Sequence, residues 1–298
     1  MRSLARIGLS LLSMVLFLGI AGCGSSSDSA ASPSTSPSAS TAPSDPASPS
    51  LSPADSPSPS SSLSPVKEVQ LLVPAAASLT ESLEEIQPLY EASHPGVKLA
   101  FNFGASGTLQ KQIEQGAKAD LFLSAGAKQM KALVEGKLID ASTRKDILLN
   151  ELVLVVPTEG GEDITSLDDL KAASFKKLAV GTPESVPAGT YTKETLEKAG
   201  LWTALEPKMV FTKDVKQVLN YVETGNTEAG FVYKSDALAS TKAKIALTID
   251  KSLHSSITYP IGILQATEHR AEAQALYDYL ISPEAVAIFV KHGFLAAE

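Results

Sequence analysis

The chain has 298 residues, with 33 acidic against 25 basic side chains, a formal net charge of −8 and a single cysteine. A net-negative chain without a basic block is a poor nucleic-acid binder, so nucleic acid is excluded as a partner. One cysteine excludes an internal disulfide, CxxC redox chemistry and a cysteine-rich zinc site, and no apolar run after the N-terminus is long enough to span a bilayer.

The N-terminus is typical of a bacterial lipoprotein precursor. Two arginines precede an apolar run over residues 7–20, and two small residues stand directly before Cys23. A basic start, a short apolar core and small residues before a cleavage site indicate a secretory signal, here over residues 1–22. Residues 20–23 resemble the lipoprotein box, with isoleucine where leucine is more usual. The resemblance implies that Cys23 is lipidated and anchors the protein to the outer face of the cell membrane. An ordinary signal peptide with an incidental cysteine is the alternative.

The next segment, residues 23–65, is predicted to be a disordered tether. Of the 42 residues from 24 to 65, 19 are serine and 9 are proline, and the only charges are three aspartates. Such a composition cannot bury enough apolar surface to offset the entropy of ordering. The folded body is therefore predicted to begin near residue 66.

From residue 68 onward, short apolar runs alternate with amphipathic helical segments, in which apolar residues recur on one helical face. This alternation predicts an α/β fold with mainly parallel sheets, and the length of the body fits two sheets better than one. The predicted strands cover residues 68–73, 97–103, 120–124, 152–156, 177–180, 208–211, 228–233 and 257–264.

Several of these strands lead through small residues into a helix. Ser78, with Glu81 three residues later, forms a capping-box pattern, and similar entries occur at 104–109, 186–190 and 212–215. Each entry exposes backbone N–H groups at the positive end of a helix dipole, where small side chains let a ligand approach closely. Any one of them could be an ordinary capped loop. Several in one chain favour an anion site, without naming the anion.

An ordered series of motifs from residue 68 to 294 resembles the molybdate-binding proteins of ABC uptake systems. Single motifs of this length are weak, but the series in this order is specific. The motifs are AAASLT at 75–80, FGASGTL at 103–109, GAKADLFLSA at 116–125, NELVLVVP at 150–157, LAVGTPESVPAG at 178–189, DV at 214–215, GFVYKSDA at 230–237, YPI at 259–261 and FVKHGF at 289–294.

The resemblance implies a two-lobed, periplasmic-binding-protein-like fold of type II, with mainly parallel sheets flanked by helices and a ligand cleft between the lobes. Lobe I would combine residues 66–151 and 260–298, and lobe II would contain residues 152–259. The hinge crossings would lie near 152–157 and 259–264.

The resemblance also implies the ligand contacts. Ser78 and Ser106 would bind an oxyanion through hydroxyl and backbone N–H groups. Ala188 and Val215 would use their backbone N–H groups, and Tyr233 would use its hydroxyl. The metal would be bound as molybdate or tungstate, with no cofactor and no side chain coordinated directly to it.

Molybdate and tungstate are tetrahedral dianions without a proton at neutral pH, so a cleft of neutral donors suits them. Sulfate is smaller and would leave some contacts stretched, while a protonated phosphate would lack an acceptor opposite its proton. The implied partners are an ABC permease in the cytoplasmic membrane and the membrane itself through the lipid anchor. The protein is expected to act as a monomer.

Other functions are weaker interpretations of the same residues. A receptor for sulfate or phosphate is the nearest alternative, and a tethered cell-surface hydrolase or an adhesion module are more remote. The four histidines show no catalytic or metal-binding spacing. Residues 174–177 match the SxxK pattern, but the companion SDN and KTG motifs do not occur. The chain is therefore predicted not to be an enzyme.

Overall fold

A computed structural model describes residues 68–297. The predicted signal peptide, Cys23 and the predicted tether lie outside the described residues. Within residues 68–297, no helix combines the length and the apolar character that crossing a membrane requires.

The described residues form strands and helices that alternate along most of the chain. The strands are β1 (Val69–Ala76), β2 (Val97–Gly104), β3 (Leu121–Leu123), β4 (Lys145–Leu149), β5 (Leu152–Pro157), β6 (Leu178–Gly181), β7 (Met209–Thr212), β8 (Ala229–Tyr233), β9 (Ala243–Thr248), β10 (Thr258–Ile263) and β11 (Leu295–Ala296). The α-helices are α1 (Thr80–Ser93), α2 (Ser106–Glu114), α3 (Ala127–Glu135), α4 (Pro187–Lys198), α5 (Trp202–Leu205), α6 (Val215–Glu223), α7 (Lys234–Leu238), α8 (Arg270–Leu280) and α9 (Pro283–Lys291).

The strands build two sheets, which confirms the predicted α/β fold. The first has the order β11-β4-β10-β3-β1-β2, and the second has the order β7-β6-β8-β5-β9. We call the first sheet with the helices packed on it lobe I, and the second sheet with its helices lobe II. The chain leaves lobe I after Leu149, enters lobe II at Leu152 and returns with β10 at Thr258. Residues 258 and 259, expected in lobe II, therefore lie in a strand of the first sheet.

Each sheet is mixed, whereas mainly parallel sheets were expected. Strand β1 pairs in parallel with β2 and β3, and β6 pairs in parallel with β7 and β8. Strand β10 runs antiparallel to β3 and β4, β11 to β4, and β5 to β8 and β9. Parallel neighbours need a crossover connection. Strands β5 and β10 each follow a strand of the other lobe, so no crossover helix within one sheet leads into them. Both strands pair antiparallel with their neighbours.

All eight predicted strands correspond to observed ones, but three observed strands were missed. Strand β4 begins with a lysine and an aspartate, β9 is a largely exposed edge strand, and β11 has only two residues. None of the three carries the apolar run by which a buried strand is recognised.

The amphipathic pattern predicted for the helical segments is confirmed. In α6, the buried residues are the four that recur on one face of the sequence pattern: Val215, Val218, Leu219 and Val222. The capping box at Ser78 is wrong, because a 3₁₀ turn over Ala77–Leu79 precedes α1 and places Ser78 inside the turn. The helix start has no side-chain cap, and the Ser78 hydroxyl lies against Tyr259 instead.

Helix α4 packs on β6 where the backbones of Gly189 and Gly181 lie in close contact. A Cβ atom at Gly189 would lie 1.9 Å from the carbonyl oxygen of Gly181 and 2.5 Å from its carbonyl carbon. This close approach fixes the start of α4 against the end of β6.

We therefore expect Gly189→Ala to lower the free energy of unfolding by about 1–3 kcal/mol or more, because backbone must move to admit the methyl group. Thermal and urea unfolding measure the change. Glu197→Ala, on the exposed side of the same helix, is the control and should stay within about 0.5 kcal/mol of wild type. Equal stability of the two variants would contradict the expectation.

Candidate functional site

A small cavity of about 10 Å³ lies where the starts of several helices from both lobes meet. Its lining includes all five residues that the sequence predicts for the ligand site: Ser78, Ser106, Ala188, Val215 and Tyr233. Sites for drug-sized ligands measure roughly 300–1,000 Å³. The closed site therefore suits only a ligand of a few heavy atoms.

The two serines approach the cavity from lobe I. Ser78 lies in the 3₁₀ turn after β1, and its Oγ is 2.8 Å from the hydroxyl oxygen of Tyr259. Ser106 is the first residue of α2, and its Oγ accepts a hydrogen bond of 2.9 Å from the N–H of Ala125. Both side chains are buried, so each hydroxyl is directed by these fixed neighbours.

The starts of α4 and α6 approach from lobe II. Pro187 is the first residue of α4 and has no N–H, so Ala188 carries the first backbone donor of that helix. Val215 is the first residue of α6, and the carboxylate of Asp214 caps this helix by accepting from the N–H of Gln217 at 2.8 Å. First-turn N–H groups have no partner within their own helix, so Ala188 and Val215 can both donate to a ligand.

Tyr233 ends β8 and contributes the fifth polar group. Its hydroxyl lies 3.5 Å from the carbonyl oxygen of Ala125, a long contact that leaves the hydroxyl available for a better acceptor. Burial raises the pKa of Tyr233 well above its usual value of about 10, with a further contribution from Tyr259. The hydroxyl is therefore a neutral donor throughout the physiological pH range.

No charged side chain lines the cavity among the described residues. The ammonium of Lys216, one residue after Val215, lies 2.6 and 2.7 Å from the carboxylate oxygens of Glu81 and 3.0 Å from Asp236. Burial lowers the pKa of Lys216, but Asp236 and Glu81 more than offset this, so its pKa lies above the ordinary value. The lysine stays charged, and these carboxylates neutralise it.

The two lobes touch around the cavity, so the cleft is closed. The N–H of Gly107 in α2 donates to the carbonyl oxygen of Ser185 in lobe II at 2.9 Å. A Cβ atom at Gly107 would lie 2.6 Å from that oxygen, and one at Gly126 would lie 3.2 Å from the ring of Pro187. The Lys216–Glu81 ion pair also joins lobe II to lobe I.

Larger cavities lie elsewhere and do not carry this chemistry. One of about 350 Å³ in lobe I is lined by Gln70, Leu72, Asp120 and Leu264 among others, and by none of the five predicted residues. The Asp120 carboxylate is already occupied, because it accepts from the N–H of Leu72 and from the hydroxyl of Thr267. Among residues 68–297, no cluster of three His, Cys, Asp or Glu side chains could hold a metal ion.

Sequence reasoning missed the residues behind the site. Ala125, Tyr259 and Asn150 lie in motifs that carry the family resemblance, but no role was predicted for them. Gly107 was likewise recognised only as a small residue at a helix entry. The available signals were a polar Asn directly before the apolar run of β5 and a Gly directly after a predicted ligand serine, and neither indicates a partner on its own.

Comparisons with known proteins agree with this architecture. The family model for bacterial extracellular solute-binding proteins matches residues 71–295. A Bacillus subtilis (strain 168) protein named "Putative ABC transporter substrate-binding lipoprotein YvgL" is 50% identical over 230 residues, covering 77% of this chain and 88% of that protein. The molybdate-binding protein ModA of Escherichia coli (strain K12) is 39% identical over 231 residues, covering 76% of this chain and 89% of ModA.

Among solved structures, one is described as the "substrate binding domain of putative molybdenum ABC transporter from Clostridium difficile". It superposes with a TM-score of 0.61 at 43% identity, covering 77% of this chain and 99% of that domain. The two-lobed type II fold is therefore shared with solved relatives.

The Gly107–Ser185 contact gives a test of cleft closure. We expect Gly107→Ala to weaken closure by about 1–3 kcal/mol, because the added methyl group collides with the Ser185 carbonyl only when the lobes meet. Small-angle X-ray scattering with the expected ligand, molybdate, should show a less compact protein than wild type. The control is Lys111→Ala on the exposed face of the same helix. A Gly107→Ala profile that matches wild type would contradict the prediction.

Proposed function

Because this chain belongs to the bacterial extracellular solute-binding proteins, we propose that it captures molybdate outside the cytoplasmic membrane and delivers it to an ABC permease. Like the other members of its family, it is a solute-binding protein and not an enzyme. Its ligand is the oxyanion itself, and no cofactor takes part. Relatives from Escherichia coli and Haemophilus influenzae that are named for molybdate binding support this assignment.

The observation that carries the proposal is the set of neutral donors around one small cavity. Three α-helices and one 3₁₀ turn begin at its wall, and two serines and one tyrosine line the same space. Hydrogen bonds from neutral donors to an ionised acceptor are about twice as strong as neutral pairs. A cavity with such donors and no charged lining suits a small anion whose oxygens are all acceptors.

We assign each predicted residue one role. Ser78 and Ser106 donate from lobe I through hydroxyl and backbone N–H groups. Ala188 and Val215 donate backbone N–H groups from lobe II, and Tyr233 donates its hydroxyl. These donors come from both lobes, which supports a ligand enclosed between the lobes.

Tungstate is proposed as a second ligand, because it has nearly the same size and charge as molybdate. The N-terminal segment adds a proposed location. Residues 1–22 would be removed as a signal peptide, Cys23 would carry the lipid, and residues 23–65 would tether the two lobes to the outer face of the membrane. The closed form of a single chain would then meet the permease, which makes a monomer the proposed working unit.

Anion titrations test the ligand assignment. With the purified full-length chain, isothermal titration calorimetry should show tight binding of sodium molybdate and sodium tungstate and little or no heat from sulfate or phosphate. Smaller sulfate cannot satisfy donors fixed for a larger ion, and the proton of phosphate finds no acceptor. If sulfate binds and molybdate does not, the protein is a receptor for a different oxyanion, and the proposal fails.

The same titration tests the site. Ser106→Ala and Tyr233→Phe each remove one donor to an anion, and each should weaken molybdate binding by about tenfold to a hundredfold, since hydrogen bonds to charged groups contribute about 1.5–3 kcal/mol. Tyr221→Phe on the outer side of α6 and Ser93→Ala at the end of α1 are matched controls and should titrate like wild type. Wild-type affinity in both site variants would contradict the assignment of these residues to the ligand site, and the assignment of the fold would still stand.

Lipidation is tested separately in cells. Metabolic labelling with a fatty acid should mark the wild-type chain and not Cys23→Ala, since Cys23 is the only thiol in the chain. The variant should also be released from the membrane fraction into the medium or the periplasm. Label that persists in Cys23→Ala would contradict the proposed anchor.

A further inference from the structure

Behind the Ser78 hydroxyl lies a buried row of polar side chains that the ligand contacts do not include. The hydroxyl oxygen of Tyr259 is 2.8 Å from Ser78 Oγ. The side-chain amide nitrogen of Asn150 lies 3.3 Å from the same Tyr259 oxygen and 2.9 Å from the hydroxyl of Ser235. All four side chains are buried, so no bulk water competes for these bonds.

The Asn150 amide restricts the directions of the hydrogen bonds in this row. The backbone N–H of Glu151 lies 2.9 Å from Asn150 Oδ1, and a backbone N–H can only donate. Asn150 Oδ1 is therefore the acceptor, and Nδ2 must face Tyr259 and Ser235. An amide nitrogen also only donates, so the Tyr259 oxygen accepts from Asn150. A buried hydroxyl proton normally has an acceptor, and among the described residues the partner that remains for the Tyr259 proton is Ser78 Oγ, which makes Tyr259 the donor of that bond.

The consequence reaches the ligand cavity. When Ser78 Oγ accepts the hydrogen bond from Tyr259, the hydroxyl proton of Ser78 itself is free to point into the cavity. Ser106 is held in the same way by a different donor, because its Oγ accepts from the backbone N–H of Ala125. Both serines thus present a donor to the ligand, each because a group behind it donates to the serine oxygen.

We propose that Tyr259 and Asn150 are positioning residues that orient the Ser78 hydroxyl as a donor and thereby adapt the site to fully deprotonated oxyanions. This inference rests on the proposed function. Burial raises the pKa of Tyr259 well above its ordinary value, so this hydroxyl keeps the proton that the arrangement requires. A protonated anion would need a hydrogen-bond acceptor at the site. The oxygen of Ser78 already accepts from Tyr259, so Ser78 is arranged to donate to the ligand and not to accept from it.

Tyr259→Phe removes the donor and keeps the ring. The ring packs edge-on against Phe294 and Tyr233, with centroids 5.1 and 5.8 Å apart, and phenylalanine preserves both contacts. The matched control is Tyr90→Phe, because Tyr90 is fully buried and its hydroxyl has no hydrogen-bond partner among residues 68–297. Titration with sodium molybdate should show about tenfold weaker binding for Tyr259→Phe, the effect of one net hydrogen bond, and no change for Tyr90→Phe.

A double-mutant cycle separates positioning from packing. If Tyr259 acts through Ser78, adding Tyr259→Phe to Ser78→Ala should cause no further loss of molybdate affinity. An additional tenfold loss in that background would show that Tyr259 acts on the fold, and would overturn the inference. Wild-type affinity in Tyr259→Phe alone would also overturn it.

A second variant keeps the test decisive if Tyr259→Phe does not fold. Asn150→Asp replaces the donor by an acceptor of nearly the same shape, so the Tyr259 hydroxyl donates to Asp and no longer to Ser78. Affinity for molybdate should again fall, and the loss should again shrink in the Ser78→Ala background; an undiminished loss there would count against the inference. If wild type itself gives no heat with molybdate, the proposed function fails; if wild type binds and both variants match it, only the positioning roles fail.

Discussion

The backbone N–H groups at the starts of α2, α4 and α6 are the constraint on which the rest of this structure depends. A helix leaves its first four N–H groups without partners, and buried donors must find an acceptor. Here these helix starts converge on one closed cavity, and small residues such as Ala188 keep the backbone accessible there. The sheets place the helix starts and the lobe contacts enclose them, and in the proposed site a small anion supplies the missing acceptors.

This constraint explains how an acidic protein can bind an anion. The net charge of −8 acts over the whole surface, where salt screens it beyond about 10 Å. The proposed site instead uses fixed dipoles at short range, which need no net positive charge. Lys216, one residue after Val215, is paired with Glu81 and Asp236, so its charge joins the two lobes and is not left free to attract every anion.

The sequence could predict those residues of the proposed site that lie in short, recognisable motifs. Ser78, Ser106, Ala188, Val215 and Tyr233 each lie in a motif whose order along the chain carries the family resemblance, and the structure brings all five to one cavity. The row from Asn150 to Tyr259 could not be found this way, because its members are 109 residues apart in sequence. The capping box failed for a related reason: a 3₁₀ turn moved the N-cap of α1 from Ser78 to Leu79, and no side-chain pattern in the sequence indicates this shift.

The division of the proposed donors between the lobes has a consequence for release. Ser78 and Ser106 belong to lobe I, while Ala188, Val215 and Tyr233 belong to lobe II. A bound anion would contact both lobes at once. In the closed form, binding to the donors of one lobe gives the anion a high effective concentration at the donors of the other lobe. Separating the lobes leaves two weak half-sites in place of one strong site, without breaking a covalent bond or moving a proton. A permease that binds both lobes and moves them apart would therefore release the anion through the change in lobe separation alone.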